Sequence, residues 1–144
     1  MMLEWQRFGD HNGDLPERET VGSAGYDLYT TMQIDLWPGE SKTVPTGWGV
    51  AIPSGYVGLI RPRSGVAVRN FLEIGAGVID SDYRGEILLR LISVAREGSC
   101  WTIEPYARVA QLLVVPHLAL RSAEVRKLPT TVRGDSGFGS TGEK

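Results

Sequence analysis

The chain is poor in the residues on which several chemistries depend. One cysteine, Cys100, stands among 144 residues, so no intrachain disulfide can form, which fits a reducing compartment. Two histidines, His11 and His117, lie far apart and give little basis for a histidine-rich metal site. Positive charge is not in excess. Fifteen Lys and Arg against 17 Asp and Glu leave a net charge of -2, so no chain-wide basic field draws it to nucleic acid or membrane. No apolar run approaches the ~20 residues of a spanning helix. The opening MMLEWQRFGDHNGD lacks an apolar h-region, so no secretory signal is expected and a cytoplasmic location is, in a host cell if the source is viral. There is no G-x-x-x-x-G-K-[ST] and no Rossmann glycine pattern after a first strand. No segment sustains a helical period.

What remains is a one-domain chain with 42% hydrophobic and 22% charged residues, ordinary for a folded domain. Turn residues punctuate it at short intervals: Trp37-Pro38-Gly39, Pro45-Thr46-Gly47, Pro53-Ser54-Gly55, Ser64-Gly65, Arg84-Gly85, Glu97-Gly98 and Glu104-Pro105. Between them MQIDLW, TGWGVAI, YVGLI, EILLRLISV and RVAQLLVV read as strands. The last two are nearly continuous in apolar residues, which predicts burial on both faces by a second sheet or another subunit. One short helix is expected in SGVAVRN. The pattern predicts an all-β sandwich, barrel or jelly roll. Trp37 and Trp48 read as packing residues and Cys100 as a small core residue. The body is expected over 1–128 and a glycine-rich tail over 129–144.

Five segments carry the chemistry. SAGYDLY places Asp27 in an apolar run, where a carboxylate needs a partner. RPRSGVA offers Arg63, Ser64 and Gly65, a hydroxyl and amides suited to a phosphate if a helix starts there, beside a guanidinium able to grip it; a surface turn with solvated arginines fits the segment equally. GAGVIDSDYRGEI crowds acids, a ring and a base behind Gly75 and Gly77; on a strand Asp80 and Asp82 would share a face, and Asp82 to Gly85 reads as a turn. RVAQLL sets the Gln111 amide among apolar neighbours. RGDSGFGSTG cannot form a core. It has one ring, Phe138, between glycines, and it carries Arg133, Ser140 and Thr141: a clamp for something flat and anionic, mobile when empty. Its Arg133-Gly134-Asp135 tripeptide is too short a match to mean cell adhesion.

In this order and at these spacings the five segments resemble the five motifs of the trimeric dUTPase family, from Ser23 to Gly142. The resemblance implies a β jelly roll assembled as a homotrimer with shared active sites. It implies hydrolysis of dUTP to dUMP and pyrophosphate with Mg²⁺, which keeps uracil out of DNA and supplies dUMP for dTMP synthesis. Asp80 then orients and deprotonates the attacking water. Tyr83 lies against the deoxyribose and excludes a 2′-hydroxyl. Gly75, Ala76, Gly77, Val78 and Ile79 read uracil in a pocket closed to a 5-methyl group. Asp27 holds Mg²⁺ through water, with no direct protein ligand, and Gln111, Ser64 and Gly65 meet the phosphates, supported by Arg63 and Arg108. Arg133 is an arginine finger, Phe138 stacks on the base, and Gly139, Ser140 and Thr141 belong to a lid with γ-phosphate donors. No direct nucleic-acid or membrane contact is implied; some members bind a regulatory protein. The chain departs from the family pattern at Ser136, usually glycine, and at Tyr106-Ala107, usually Gly-Asp, a change of turn rather than of chemistry. A dCTP deaminase or bifunctional deaminase–diphosphatase would need a base such as Glu73 or Glu86. A nucleotide-gated regulatory module and a structural jelly roll are the readings from other classes.

Overall fold

The computed structural model describes residues 2–135. Among them are eleven strands and one helix. In chain order they are β1 (Glu4–Arg7), β2 (Gly25–Tyr29), β3 (Ile34–Leu36), β4 (Ser41–Pro45), β5 (Trp48–Ala51), β6 (Tyr56–Pro62), α1 (Ser64–Asn70), β7 (Leu72–Gly75), β8 (Val78–Ile79), β9 (Leu88–Ser93), β10 (Trp101–Ile103) and β11 (Arg108–Pro116). Every pairing is antiparallel. Four strands form one sheet in the order β2-β11-β6-β8, and three form another, β4-β9-β7; β1 pairs with β5 and β3 with β10. This is the all-β jelly roll expected, with α1 where SGVAVRN predicts it.

The core lies between these layers. Leu28 and Leu112 come from the four-stranded sheet, Leu89 and Leu91 from the three-stranded one, and Leu36 and Ile103 from the β3–β10 pair; each is at most 2% exposed. Each such side chain contributes about 1.5–3 kcal/mol by leaving water. In the single chain β9 alternates: Leu89, Leu91 and Ser93 are buried while Leu88 and Arg90 face out. Its apolar run is therefore covered on one face by its own chain. Two expected packing residues are not in the core. Trp37 is 57% exposed in the turn after β3, and Cys100 is half-exposed. Trp48 is buried as expected.

Strands shorter than the apolar runs reflect turn chemistry. Asp80 and Asp82 share no strand face, because β8 ends at Ile79 and the Tyr83 amide closes a turn on the Asp80 carbonyl at 3.1 Å. That turn spans Asp80 to Tyr83, two residues before the predicted one. Regular structure ends with β11. Residues 118–135 are exposed and add no helix or strand.

Candidate active site

Two separate corners of the chain hold the candidate residues. The first is built on sheet register. Gln111 on β11 stands opposite Asp27 on β2 and opposite Arg61 on β6. Its Nε2 donates to the Pro62 carbonyl at 3.3 Å. A Cβ at Gly25 would run into the Gln111 side chain, so glycine there leaves room for the amide. Just beyond β6, Arg63 opens α1 in extended backbone with φ -71° and ψ 141°. Its Nε forms an ion pair with Asp27 Oδ1 at 3.1 Å, and Arg108 Nη1 donates to Asp27 Oδ2 at 3.2 Å. The half-buried Asp27 thus has both carboxylate oxygens engaged by guanidinium groups, and its amide donates to the Glu17 carbonyl at 2.9 Å. Arg108 also bonds Glu19, and that hydrogen bond, followed by the charges around it, holds its guanidinium even more firmly protonated than usual.

The amides of Val66 and Ala67 donate to the Arg63 carbonyl, at 3.0 and 2.9 Å, while those of Ser64 and Gly65 have no partner within the helix. A hydroxyl and two amides therefore stand free beside two arginines. A cleft of about 660 Å³ opens on the Asp27–Arg108 side, lined by Asp27, Tyr29, Tyr106, Arg108 and the 12–19 segment, with Arg63, Ser64, Gly65 and Gln111 not among its lining residues. Sequence reading gave no role to Glu17, Glu19 and Tyr29 here, and it took Tyr106-Ala107 as a change of turn rather than of chemistry, whereas Tyr106 lines the cleft.

The second corner is built on backbone. β7 pairs with β9 and β8 with β6, so Gly75 to Val78 must bridge two sheets in a few residues. The chain turns through Ala76 at φ 61° and Gly77 at φ 99°. A Cβ on Gly77 would sit 3.0 Å from the Ile60 carbonyl oxygen, so the conformation and the fit both call for glycine. The Gly77 carbonyl accepts the Ile60 amide at 2.7 Å. Ala76 and Val78 are exposed, and Gly77 and Ile79 are half-buried. Asp80 is exposed at the start of the next turn. Tyr83 is 42% exposed, and its hydroxyl donates to the Glu86 carbonyl at 2.9 Å, so one edge is tied and the ring stands in solvent. Glu86 Oε1 accepts the Gly47 amide at 2.7 Å, a structural bond.

Within one chain the structure does not bring the corners together. In the register of the sheet Asp80 lies beyond Ile79, level with Val57 and Val115, four residues along β11 from Gln111. Strand rise and spacing place Asp80 roughly 15–20 Å from Gln111 and Asp27. Arg133 is exposed in the C-terminal stretch, where the Gly134 amide bonds the Thr131 carbonyl at 3.2 Å. Phe138, Gly139, Ser140 and Thr141, with Ser136, lie outside the described residues. No described helix is long and apolar enough to cross a membrane.

Comparison with known proteins follows the same lines. Residues 11–142 match the dUTPase family. The chain is 47% identical over 135 residues to the deoxyuridine 5′-triphosphate nucleotidohydrolase of Mycolicibacterium gilvum (strain PYR-GCK), covering 89% of this chain and 87% of that one. It is 38% identical over 143 residues to the mitochondrial deoxyuridine 5′-triphosphate nucleotidohydrolase of Homo sapiens, covering 99% of this chain and 56% of the human protein. The dUTPase of Staphylococcus bacteriophage 80alpha, solved with dUpNHpp, superposes with a TM-score of 0.89 at 28% identity over 99% of both chains. Motif order, fold and these matches agree: the chain belongs to the dUTPase family.

Proposed function

We propose that the protein hydrolyses dUTP to dUMP and pyrophosphate as a homotrimer whose active sites are shared between subunits. The observation that carries this reading is the split site. A corner rich in groups that can donate to phosphate and a corner bearing a carboxylate and a left-handed backbone turn stand roughly 15–20 Å apart in one chain. A second copy can set one against the other. The exposed stretch after β11 is consistent with such an assembly. Leu118, Leu120 and Leu128 on it are 83%, 81% and 77% exposed, which a lone chain gains nothing by displaying.

The chemistry follows from the groups. Asp80 accepts a proton from water as its oxygen attacks the α-phosphorus; the bond to the bridging oxygen breaks, and pyrophosphate leaves. Ser64, Gly65 and Gln111 donate to phosphate oxygens, and Arg63 and Arg108 balance their charge. The Gly75–Ile79 turn offers main-chain donors and acceptors to the base edge, a pattern that separates uracil from cytosine. Tyr83 serves as the ring against the deoxyribose, which a ribose 2′-hydroxyl would crowd.

A hard divalent cation such as Mg²⁺ fits this donor set. Among the described residues no group of three or more His, Cys, Asp or Glu gathers as a cage. Asp27 has its oxygens already on Arg63 and Arg108, so it suits contact through water with a cation held by triphosphate oxygens. When bound, such an ion neutralises phosphate charge. From the sequence, Arg133 and Phe138 complete the site as charge balance and base stack. A cytoplasmic location fits the single unpaired cysteine. A regulatory protein partner has no observation behind it in the structure.

The direct test is pyrophosphate release with Mg²⁺ from dUTP beside dCTP, dTTP and UTP. Release from dUTP alone is expected. Release from dCTP would move the chain to the deaminase branch, and bound but unhydrolysed dUTP would sink the enzymatic reading.

A further inference from the structure

The turn before β11 holds a residue in a conformation that its type disfavours. Pro105 and Tyr106 are the central residues of a turn closed by the Ala107 amide on the Glu104 carbonyl at 3.1 Å. Tyr106 sits there at φ 65°. With proline ahead of it this is the position of a type II turn where glycine is favoured. A left-handed tyrosine costs on the order of 1 kcal/mol or more, and persists only where the surroundings hold it.

The surroundings are specific. The Tyr106 amide donates to the carbonyl of the fully buried Thr30 at 2.8 Å. Its ring meets the buried Tyr29 ring edge-on, with centroids 5.6 Å apart. Its hydroxyl accepts the Asn12 amide at 3.4 Å. Tyr29 in turn donates its hydroxyl to the Asp14 carbonyl. The two rings therefore grip a connection that has no helix or strand between β1 and β2. That connection fences the Asp27 corner: the Glu17 carbonyl holds the Asp27 amide, and the Glu19 carboxylate holds Arg108. Tyr106 itself lines the same cleft as Asp27 and Arg108.

We propose that Tyr106 is a positioning residue for triphosphate binding. Its strained turn fixes the ring against Tyr29 and the 12–19 segment, and this segment sets Asp27 and Arg108 for the phosphates. The proposal rests on the dUTP reading above for its ligand, while its mechanical part does not.

The test pairs kinetics with amide hydrogen exchange in the full chain. Tyr106→Gly and Tyr106→Asn both tolerate the left-handed backbone and remove the ring, so neither adds strain to the fold. Each is expected to raise the KM for dUTP about five- to tenfold with kcat within about twofold of the parent. Each should also quicken exchange of the Asp27 amide about tenfold or more, by opening the segment that carries Glu17. Tyr106→Phe keeps the ring and should return both readouts to near parental values. Parental KM in the Gly and Asn variants, or a KM in the Phe variant raised as far as in those two, would overturn the proposal. A parent that binds no dUTP would sink the functional reading instead, and the exchange arm would still decide the clamp.

Discussion

The corner around Asp27 and the corner around Asp80 are built by opposite means. At Asp27 the side chains are engaged before any ligand arrives. Arg63 and Arg108 hold the carboxylate, the register between β2 and β11 fixes Gln111 beside it, and a fence of Glu17 and Glu19 closes one side. An incoming anion meets cations whose positions are already fixed, which limits the reorganisation needed on binding. At Asp80 the backbone is the instrument. Ala76 and Gly77 pass from one sheet to the other in left-handed conformations, the Gly77 carbonyl is held by the Ile60 amide, and Tyr83 is tied at one edge. Charge recognition tolerates the small adjustments of long side chains. Discrimination of a base or a sugar needs groups that cannot adjust, and a strained turn between two sheets is suited to supply them.

If the corners work only across a subunit boundary, the comparison can be broken genetically. Asp80→Asn should lower kcat about 10²–10⁴-fold while dUTP still binds, because an amide cannot take the proton from water. Gln111→Ala should lower turnover about 10²-fold through the lost phosphate donor. Unfolding the two variants together and refolding them as a mixture should then restore about a quarter of parental activity, since random mixed trimers each rebuild one intact pairing of corners. Activity no higher than the sum of the two variants would mean that both corners serve within one chain.

The two corners were also unequally legible. The Gly75–Tyr83 stretch is contiguous, so its residues could be read as one unit, and only the turn position was displaced, since β8 stops at Ile79. The Asp27 corner is assembled from β2, α1, β11 and the β1–β2 connection. Its need for a partner was legible from a carboxylate in an apolar run. Its partners were not, because Arg63 and Arg108 reach it only through strand pairing. Among the elements, α1 and the long strands β6 and β11 followed from apolar runs and turn residues. The short strands β1, β7, β8 and β10 did not, since two to four residues carry too little periodicity. Trp37 was misplaced for a related reason: aromatics suit strands, but a residue against a Pro-Gly turn is exposed.

A finer cut at the comparison concerns sugar selection, which the proposed reading assigns to the Asp80 corner alone. Removing the ring in Tyr83→Ala should raise kcat/KM for UTP relative to dUTP about 10- to 100-fold, the range over which a pocket wall can reject one added hydroxyl. Phosphate affinity should hardly change, since the Asp27 corner is untouched. Continued strict rejection of UTP, measured in the same pyrophosphate assay, would move sugar selection elsewhere.

The smallest expected effect separates the corners by pH. Burial raises the phenol of Tyr29 above its ordinary value of 10.0, against the opposing hydrogen bond from Trp48. The folded chain thus favours the neutral form, which donates to the Asp14 carbonyl. The sign follows from linkage. The contribution is fully present below pH 10, where both folded and unfolded chains are protonated. It is lost as pH rises through the folded value, because the unfolded chain ionises first. Tyr29→Phe removes this contribution and a hydrogen bond of about 1 kcal/mol, so it should be less stable than the parent at neutral pH. The gap should narrow above pH 10. Ionised Tyr29 can no longer donate to Asp14, so amide exchange in the 12–19 segment should rise there in the parent, while exchange around Ala76 to Tyr83 keeps only its intrinsic pH dependence. Denaturant unfolding at pH 8 and at pH 10.5, with exchange mapped at both, checks the point. A stability gap constant across that range would show that Tyr29 ionises alike in both states and holds no proton for the fence.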